Sequence, residues 1–376
     1  MTLTLLGIGT AEPAYSIAQQ EAAELASTFS QSTPQEAQTL QALYRRTRID
    51  RRGSVLLEQP EGSSPRQTFM PPAASEDDLG PTTGARMERF AEEAPPLALA
   101  AARTALGQSG VAAGEITHVI TACCTGFAAP GFDLRLIKGL KLSPGVARTH
   151  VGFMGCHVAL NALRVAAAFA AADPTARILI CATELCSLHY RYGRGSDKLV
   201  ANAIFADGAA AMVCGASDRK QTNGDGGGRV DRSTDGHWQL VANGSHLFPG
   251  SEDAMAWRIG DHGFEMSLSP RVPELIAAHL RPWLESWLGG CGLALADVAT
   301  WAVHPGGPRI VGQVAAGLGL TDEATAVSQQ VLKECGNMSS ATIVFILERL
   351  IAQVAPRPCV ALAFGPGLVV EAALFR

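Results

Sequence analysis

The sequence has little charge and few aromatic residues, and it lacks any long run of basic residues. Of its 376 residues, 17% are charged and 6% are aromatic, and the net charge is −5. A nucleic-acid-binding role would need a basic face, so this composition argues against one. Hydrophobic residues make up 47% of the chain, which is typical of a globular protein with a large core.

A membrane span and a secretory signal are also missing. The most apolar stretch, residues 158–172, is interrupted by Arg164 and ends at Asp173-Pro174. A span needs about 20 consecutive apolar residues. The opening MTLTLLGIGTAEP reaches Glu12 quickly and reads as a buried strand that ends at a turn. We therefore expect a cytoplasmic protein.

No C-x-x-C pair is present, and this absence argues against a zinc site or a thioredoxin-type site. The GIGTAE segment lacks the third glycine of a dinucleotide fingerprint, and no Walker loop, G-x-S-x-G elbow or H-E-x-x-H motif occurs. The number of cysteines, nine, is odd, which does not suit a disulfide framework. Most of them lie in apolar runs and are predicted to be small core residues, namely Cys123, Cys124, Cys181, Cys214 and Cys359.

Strand-like runs that are apolar on both faces alternate with helical patterns. This alternation predicts an α/β fold in which helices cover both faces of a sheet. Residues 58–84, rich in proline, serine and glycine, are predicted to be a long surface loop or lid. The polar glycine run 217–236 is a hairpin tip or an inter-domain linker. The predicted helices span residues 91–107, 157–172, 271–288 and 339–354.

The two halves of the chain repeat one order of elements. In residues 1–225 a strand leads to a loop, a Gly-Cys pair, a buried helix and two further strands. In residues 226–376 the same order recurs around a Gly-Asn pair. We interpret the halves as a duplicated unit of two domains. Because duplicated units place corresponding loops near one pseudo-twofold axis, Cys156 and Asn337 are expected to meet.

Cys156 is a candidate nucleophile. It stands at a predicted helix start, where unpaired N–H groups and the helix dipole favour negative charge, and a thiolate is the reactive form of cysteine. The alternative is a packed core cysteine. Adjacent His157 is poorly placed as its base, because neighbouring helical residues point about 100° apart.

The second half supplies two further candidates. His304 ends an apolar strand directly before Pro-Gly-Gly, where open α/β sheets place working groups. Asn337 follows Gly336 and precedes two serines, so it either caps the next helix or works with Cys156. The turn AFGPGL, residues 363–368, is an ordinary hairpin or the wall of an active-site cavity.

Taken together, these motifs closely resemble the type III polyketide synthases, the chalcone synthase-like enzymes of bacterial type. The matching segments are GFMGCHVALNALR, WAVHPGGPRIV, GNMSSA and AFGPGL, in which Ala363 replaces the first glycine of the family loop. The resemblance implies a thiolase fold, in which two βαβαβ-type halves form a layered α-β-α-β-α architecture. It also implies a homodimer that needs no metal, no other cofactor and no acyl carrier protein. Such an enzyme condenses malonyl-CoA repeatedly, with decarboxylation, onto an acyl-CoA starter.

The resemblance assigns roles to particular residues. Cys156, His304 and Asn337 match the catalytic triad, and Phe205 matches a gatekeeper phenylalanine. Arg46 and Arg309 are candidate contacts of the CoA phosphates, although a solvated basic stretch is equally consistent with the sequence. The remaining residues that match the substrate pocket are Cys124, Thr125, Ala129, Glu184, Cys186, His189, Met266, Ser339, Gly365 and Pro366.

Departures from the family pattern bear on the substrate. Met266 replaces a second gatekeeper phenylalanine, Cys124 replaces a threonine, and a small residue near Ala129 replaces a methionine that reaches across the dimer in the plant enzymes. These residues predict a pocket for a medium- or long-chain acyl group and alkylpyrone or alkylresorcinol products. Alternatives are a ketoacyl-carrier-protein synthase III-like enzyme, a synthase that uses malonyl-CoA alone or aromatic starters, and an inactive scaffold of the same fold.

Overall fold

A computed structural model describes residues 2–29, 32–59, 66–75, 77–193, 196–217 and 236–376. Within these ranges the chain alternates strands and helices. The strands are β1 (Thr2–Ala11), β2 (Ser16–Ala18), β3 (Arg51–Gly53), β4 (His118–Cys123), β5 (Ala147–Gly152), β6 (Arg177–Leu185), β7 (Asp207–Ser217), β8 (Gln239–Leu247), β9 (Met255–Gly260), β10 (Gly263–Leu268), β11 (Thr300–Val303), β12 (Cys359–Gly365) and β13 (Val369–Phe375). The helices are α1 (Gln19–Phe29), α2 (Pro34–Arg46), α3 (Thr83–Ser109), α4 (Phe132–Leu140), α5 (Val158–Ala172), α6 (Ser196–Ile204), α7 (Val272–Gly290), α8 (Pro308–Leu318), α9 (Ala326–Cys335) and α10 (Ala341–Ala352).

The main sheet confirms the duplication. Its order is β11-β12-β13-β8-β1-β7-β6-β4-β5. In the first half, β1 pairs antiparallel with β7, β7 antiparallel with β6, and β6 parallel with β4. The second half repeats this pattern with β8, β13, β12 and β11. The halves join where β1 and β8 pair antiparallel, as at Leu3 and Leu240.

Helices cover the sheet on both sides and also lie between the two halves. Apolar residues of α3 and α4 pack on one side of the first half, and those of α7 and α8 pack on one side of the second. The buried helices α5 and α10 lie in the central layer, because their apolar residues share one core with strands of both halves. The layers are therefore α-β-α-β-α, as expected.

Most predicted elements form close to their predicted bounds, with one early helix start. α3 begins at Thr83, eight residues before the predicted start at 91, and the Thr82 side chain accepts a hydrogen bond from the Ala85 N–H. The threonine cap overrides the loop-like composition of this stretch. The five cysteines predicted to be core residues are buried. Across the described ranges, no helix is both long and apolar enough to cross a membrane.

The two predicted loops have different outcomes. Residues 66–75 and 77–82 contain no helix, but Met70 is buried, so this segment is more than a surface loop. The hairpin interpretation of residues 217–236 is wrong, because β1 lies between β7 and β8 in the sheet. Residues 218–235 themselves, and with them the predicted domain boundary at 225/226, lie outside the described residues.

Candidate active site

The turn before α5 brings Cys156 against a loop from the other half of the chain. Gly155 has φ +80°, and a β-carbon built on it would lie 2.2 Å from Pro366 Cδ. This position therefore needs glycine both for its backbone angle and for the close approach. The AFGPGL turn is thus a wall of the nucleophile site.

Asn337 and Ser339 reach the same place from the second half. The Ser339 hydroxyl donates to Cys156 Sγ at 3.6 Å. Ser339 has φ +47°, a left-handed conformation that is uncommon for serine and is concentrated at functional sites. The Asn337 side-chain oxygen accepts from the Ser339 N–H at 2.9 Å, so Asn337 holds this turn. The loops of Cys156 and Asn337 meet, as the duplication predicted.

His304 points into the central layer. In β11, Trp301 and Val303 belong to the outer core, whereas Ala302 belongs to the central core. Strand alternation directs His304, two residues after Ala302, to the same side as Ala302. His304 is 1% exposed, and neither of its ring nitrogens has a hydrogen-bond partner among the described residues.

Burial sets the resting protonation of the candidate pair. It raises the pKa of the Cys156 thiol to about 12, although hydrogen bonds from Ser339 and from the backbone N–H of Cys156 itself act in the opposite direction. Burial also lowers the pKa of His304 to about 3, and a charge on His157 would lower it further. Burial therefore favours the neutral form of both the Cys156 thiol and the His304 imidazole. It does not favour the standing thiolate that a helix start alone suggests.

A small cavity of about 390 Å³, part of it open to solvent, lies above Cys156. It is predominantly apolar and collects eight of the residues singled out in the sequence. Its lining residues are Cys124, Thr125, Gly155, Cys156, Cys186, Phe205, Met255, Ala256, Trp257, Met266, Ser339 and Pro366.

A larger cavity of about 1050 Å³, again partly open to solvent, adjoins the small one. The two share four wall residues, Cys186, Phe205, Trp257 and Met266. Beyond that wall, the larger cavity runs among apolar side chains of α1, α6 and the segment around Met70. Cys156 therefore lines one of two adjoining, mainly apolar cavities that are separated by this shared wall.

Trp257 is a site residue that the sequence pattern did not reveal. It lines both cavities, and its indole N–H donates to the Cys124 carbonyl at 2.8 Å. Its ring lies near Phe205, with the centroids 6.3 Å apart. The only signal in the sequence was a tryptophan in a short alternating strand. Only the fold shows that residues of β9 line the cavity above Cys156.

Two buried polar residues hold the cavity walls. His189 donates from Nε2 to the Thr125 carbonyl at 2.6 Å and accepts the Phe264 N–H on Nδ1 at 2.9 Å. Burial lowers the pKa of His189 to about 3, so it stays neutral. Glu184 accepts from Thr125 Oγ1 at 2.7 Å and from the Cys124 N–H at 3.0 Å, and burial raises its pKa.

Comparison with known proteins matches this arrangement to one family. The N-terminal domain of chalcone and stilbene synthases matches residues 2–218, and the C-terminal domain matches residues 239–376. The chain belongs to the chalcone and stilbene synthase family. It is accordingly a type III polyketide synthase, a Claisen-condensing acyltransferase.

Several polyketide synthases are similar to this chain over most of its length. The alpha-pyrone synthesis polyketide synthase-like Pks18 of Mycobacterium tuberculosis is 35% identical over 294 residues, which cover 77% of this chain and 72% of the relative. The crystal structure of PKS-I from the brown alga Ectocarpus siliculosus has a TM-score of 0.89 at 30% identity, covering 100% of this chain and 98% of the other. The type III domain of Steely1 from Dictyostelium has a TM-score of 0.84 at 26% identity, covering 100% and 99%. These neighbours confirm the predicted thiolase fold.

A few residues that the family resemblance implied lie away from the cavities. Ala129 is exposed and lines neither cavity. Arg46, at the end of α2, and Arg309, in the first turn of α8, are also exposed. Gly365 lines neither cavity, but it lies at the site. Its Cα would be 3.4 Å from a β-carbon built on Gly155, and a β-carbon built on Gly365 itself would lie 2.4 Å from His157 Nε2.

Proposed function

We propose that this synthase extends a medium- or long-chain fatty acyl-CoA with malonyl-CoA and releases an alkylpyrone or alkylresorcinol-type product. The observation that carries the proposal is the pair of adjoining cavities, which provides apolar space beyond the site of Cys156. The name of the mycobacterial relative, which refers to alpha-pyrone synthesis, agrees with it. CoA thioesters are the proposed substrates, and the chemistry needs no other cofactor.

The loading step follows from the neutral pair. As an acyl-CoA enters, the Cys156 thiol gives its proton to His304, and the sulfur attacks the thioester carbonyl. The carbonyl oxygen becomes an oxyanion, for which the imidazolium N–H and the Asn337 amide N–H are the proposed donors. The CoA sulfur then leaves and takes the proton from His304. The acyl chain stays on Cys156.

The extension step uses the same two donors. The carboxylate of malonyl-CoA leaves as CO2, and the remaining enolate oxygen accepts hydrogen bonds from His304 and Asn337. The enolate carbon attacks the acyl thioester, a carbon–carbon bond forms, and the Cys156 sulfur leaves. Each extension releases one CO2 and one CoA and consumes one proton from solvent. Burial of the pair excludes water that would hydrolyse the thioester.

We also propose a homodimer. Phe127 and Met154 are large apolar side chains that are 39% and 44% exposed. They lie close to β5, the outermost strand of the first half of the sheet. Exposed apolar groups beside an unpaired strand edge are typical of a subunit interface. CoA contacts at Arg46 and Arg309, and a cytoplasmic location, stay predictions.

A starter panel tests the chain-length proposal. Wild-type protein is incubated with malonyl-CoA and saturated acyl-CoA starters of increasing length, and products are identified by mass spectrometry. Ala201→Phe introduces a ring into the larger cavity only. Because each buried methylene contributes about 0.8 kcal/mol, losing space for two methylenes should lower kcat/KM roughly 15-fold. Long starters should lose this factor, and short ones should not.

Ala296→Phe is the matched control, since Ala296 is exposed beside a surface groove formed in part by α7 and α8. It should leave the length profile unchanged. Wild-type turnover only with aromatic starters, or with malonyl-CoA alone, would contradict the proposal. Turnover of a carrier-protein substrate in preference to malonyl-CoA would support the synthase III alternative.

A further inference from the structure

A row of polar side chains runs along the otherwise apolar helix α5. His157, Asn161 and Arg164 are spaced four and three residues apart and so share one face. His157 Nδ1 lies 2.7 Å from Asn161 Oδ1, and Arg164 pairs with buried Glu371 of β13. An apolar helix would be expected to fill this face with alanine or leucine. Neither the nucleophile nor the cavities use these side chains directly.

Asn161 sets the tautomer of His157. An amide oxygen only accepts hydrogen bonds, so Nδ1 of His157 must carry the proton. In the neutral ring, Nε2 therefore carries a lone pair and can only accept a hydrogen bond. That atom is buried, and it has no hydrogen-bond partner within the described part of the chain. A buried acceptor without a partner is costly and calls for an explanation.

His157 and His304 lie at the same stretch of β12. The His157 ring packs on Gly365, as the clash with a built β-carbon shows. The backbone N–H of His304 donates to the Leu362 carbonyl at 2.8 Å, which places His304 beside Ala363 on the neighbouring strand. Ala363 belongs to the central core, and Gly365 follows it on the same face. Both imidazoles therefore face the central layer, about one strand apart.

We propose that His157 is a positioning residue for His304: in the working enzyme, His157 Nε2 accepts the ring N–H of His304 that faces away from Cys156, a hydrogen bond that is not yet formed between the described residues. This arrangement fixes a single neutral tautomer of His304 and leaves its other nitrogen as a lone pair toward the thiol. Three otherwise unpartnered nitrogens are then accounted for together. The lone pair takes the Cys156 proton during loading, and the same nitrogen then donates to the thioester oxygen.

The charges around the pair fit a ring that stays neutral. Burial lowers the pKa of His157, and Glu371 and Arg164 act on it in opposite directions. The charged group that acts on His304 is His157, and the charged group that acts on the Cys156 thiol is Glu184. A second charge on this pair is disfavoured, since a charge on either imidazole opposes one on the other. His157 thus accepts a hydrogen bond without competing for the proton.

Two substitutions separate the two nitrogens of His157. In His157→Asn, the amide keeps a hydrogen-bond donor near the position of Nδ1, but nothing replaces the acceptor Nε2. In His157→Gln, the amide oxygen lies near the position of Nε2. The inference rests on the proposed condensation, so kcat and KM for an acyl-CoA starter are measured in both. We expect His157→Asn to lower kcat about tenfold with KM unchanged, and His157→Gln to remain within about threefold of wild type. His118→Gln, at the far end of β4, is the control.

Readouts that do not need turnover complete the test. Iodoacetamide labelling of Cys156 should rise about tenfold per pH unit between pH 7 and 9, because the thiolate fraction grows with pH below a pKa of about 12. In His157→Asn, the rise of the labelling rate with pH should shift to higher pH. The nitrogen-15 spectrum of His304 should show one neutral tautomer in wild type and a mixture of both in His157→Asn. Equal kcat, labelling and spectra in wild type and His157→Asn, or a Gln variant no better than Asn, would overturn the inference. If wild type makes no product, but the His304 tautomer still differs between wild type and His157→Asn, the proposed function is contradicted and the role of His157 is not.

Discussion

The two halves of this synthase use one scaffold for different chemistry. Each half places a residue directly after the first strand of its parallel pair, Cys124 in one and His304 in the other. Each then places a glycine with positive φ before the working residue of a turn, at +80° for Gly155 and +75° for Gly336. The backbone is repeated, but the side chains are not.

The difference teaches how a duplicated fold becomes an asymmetric active site. The first half contributes the proposed nucleophile, and the second contributes the proposed donors to oxygen. The turn of the second half also retains a structural task, because the Asn337 oxygen caps the Ser339 N–H. In the turn of the first half, the Gly155 N–H donates to Cys124 Sγ at 3.0 Å, and Gly155 packs against Pro366 of the turn between β12 and β13. Each half therefore completes the site of the other.

Removing the nucleophile should have the largest effect. Cys156→Ala should lower product formation by at least about 10³-fold, because Cys156 is the proposed carrier of the acyl chain. Cys124 and Cys186 also line the cavity, but burial raises the pKa of both thiols well above the ordinary value. Mass spectrometry of products from malonyl-CoA and the best starter measures it. Cys291→Ser, at a partly exposed cysteine after α7, is the control and should behave as wild type. Full product formation by Cys156→Ala would remove it from the mechanism.

Changing one donor of the second half should have a smaller effect. Asn337→Asp keeps an oxygen for the Ser339 N–H and removes the NH2 group, so it separates the cap from the catalytic donor. Loss of one oxyanion donor lowers kcat by about 10²–10³-fold. We expect this loss in malonyl-CoA decarboxylation, measured as CO2 release. The thermal midpoint should fall as well, because the carboxylate of Asp is costly at this buried position. A wild-type rate would show that Asn337 is a cap only.

The two turn glycines should differ in stability. Alanine at either position has to adopt a left-handed angle, which costs about 1–3 kcal/mol. Gly155→Ala should cost more than Gly336→Ala, because its β-carbon would lie 2.2 Å from Pro366 Cδ whereas the nearest atoms at Gly336 are 3.0 Å away. The free energy of unfolding in urea measures both.

A third glycine calibrates that comparison. Gly312 lies inside α8, and a β-carbon built there would meet nothing within 4 Å. Gly312→Ala should therefore raise stability by roughly 0.5–1 kcal/mol through the higher helix propensity of alanine. Equal losses at Gly155 and Gly336 would mean that the Pro366 contact contributes little.

Sequence patterns were sufficient for the fold and for the residues at its centre. Alternating apolar strands and helices, and the matching order of the two halves, predicted the covered sheet and the meeting of the Cys156 and Asn337 loops. They did not reveal Trp257, because a tryptophan in a short strand carries no sign of which element it faces. Nor did they show that Ala129 lies outside the cavities.

Local chemistry and tertiary burial also gave opposite indications at Cys156. A helix start favours a thiolate, and this is all that a sequence can express about the site. In the folded chain, removal from water raises the pKa of the same thiol to about 12. Desolvation depends on every element packed around the group, so a local sequence pattern does not encode it.

The sequence by itself determined the elements and their duplicated order, because periodicity, caps and glycine turns act over a few residues. Only the tertiary structure decided what surrounds the side chains that are proposed to react. It placed two cavities on either side of four shared wall residues and left the His304 nitrogens buried without partners in the described chain. It also laid the His157 ring against Gly365 of the other half. Contacts between distant segments are set by packing, which local patterns do not encode.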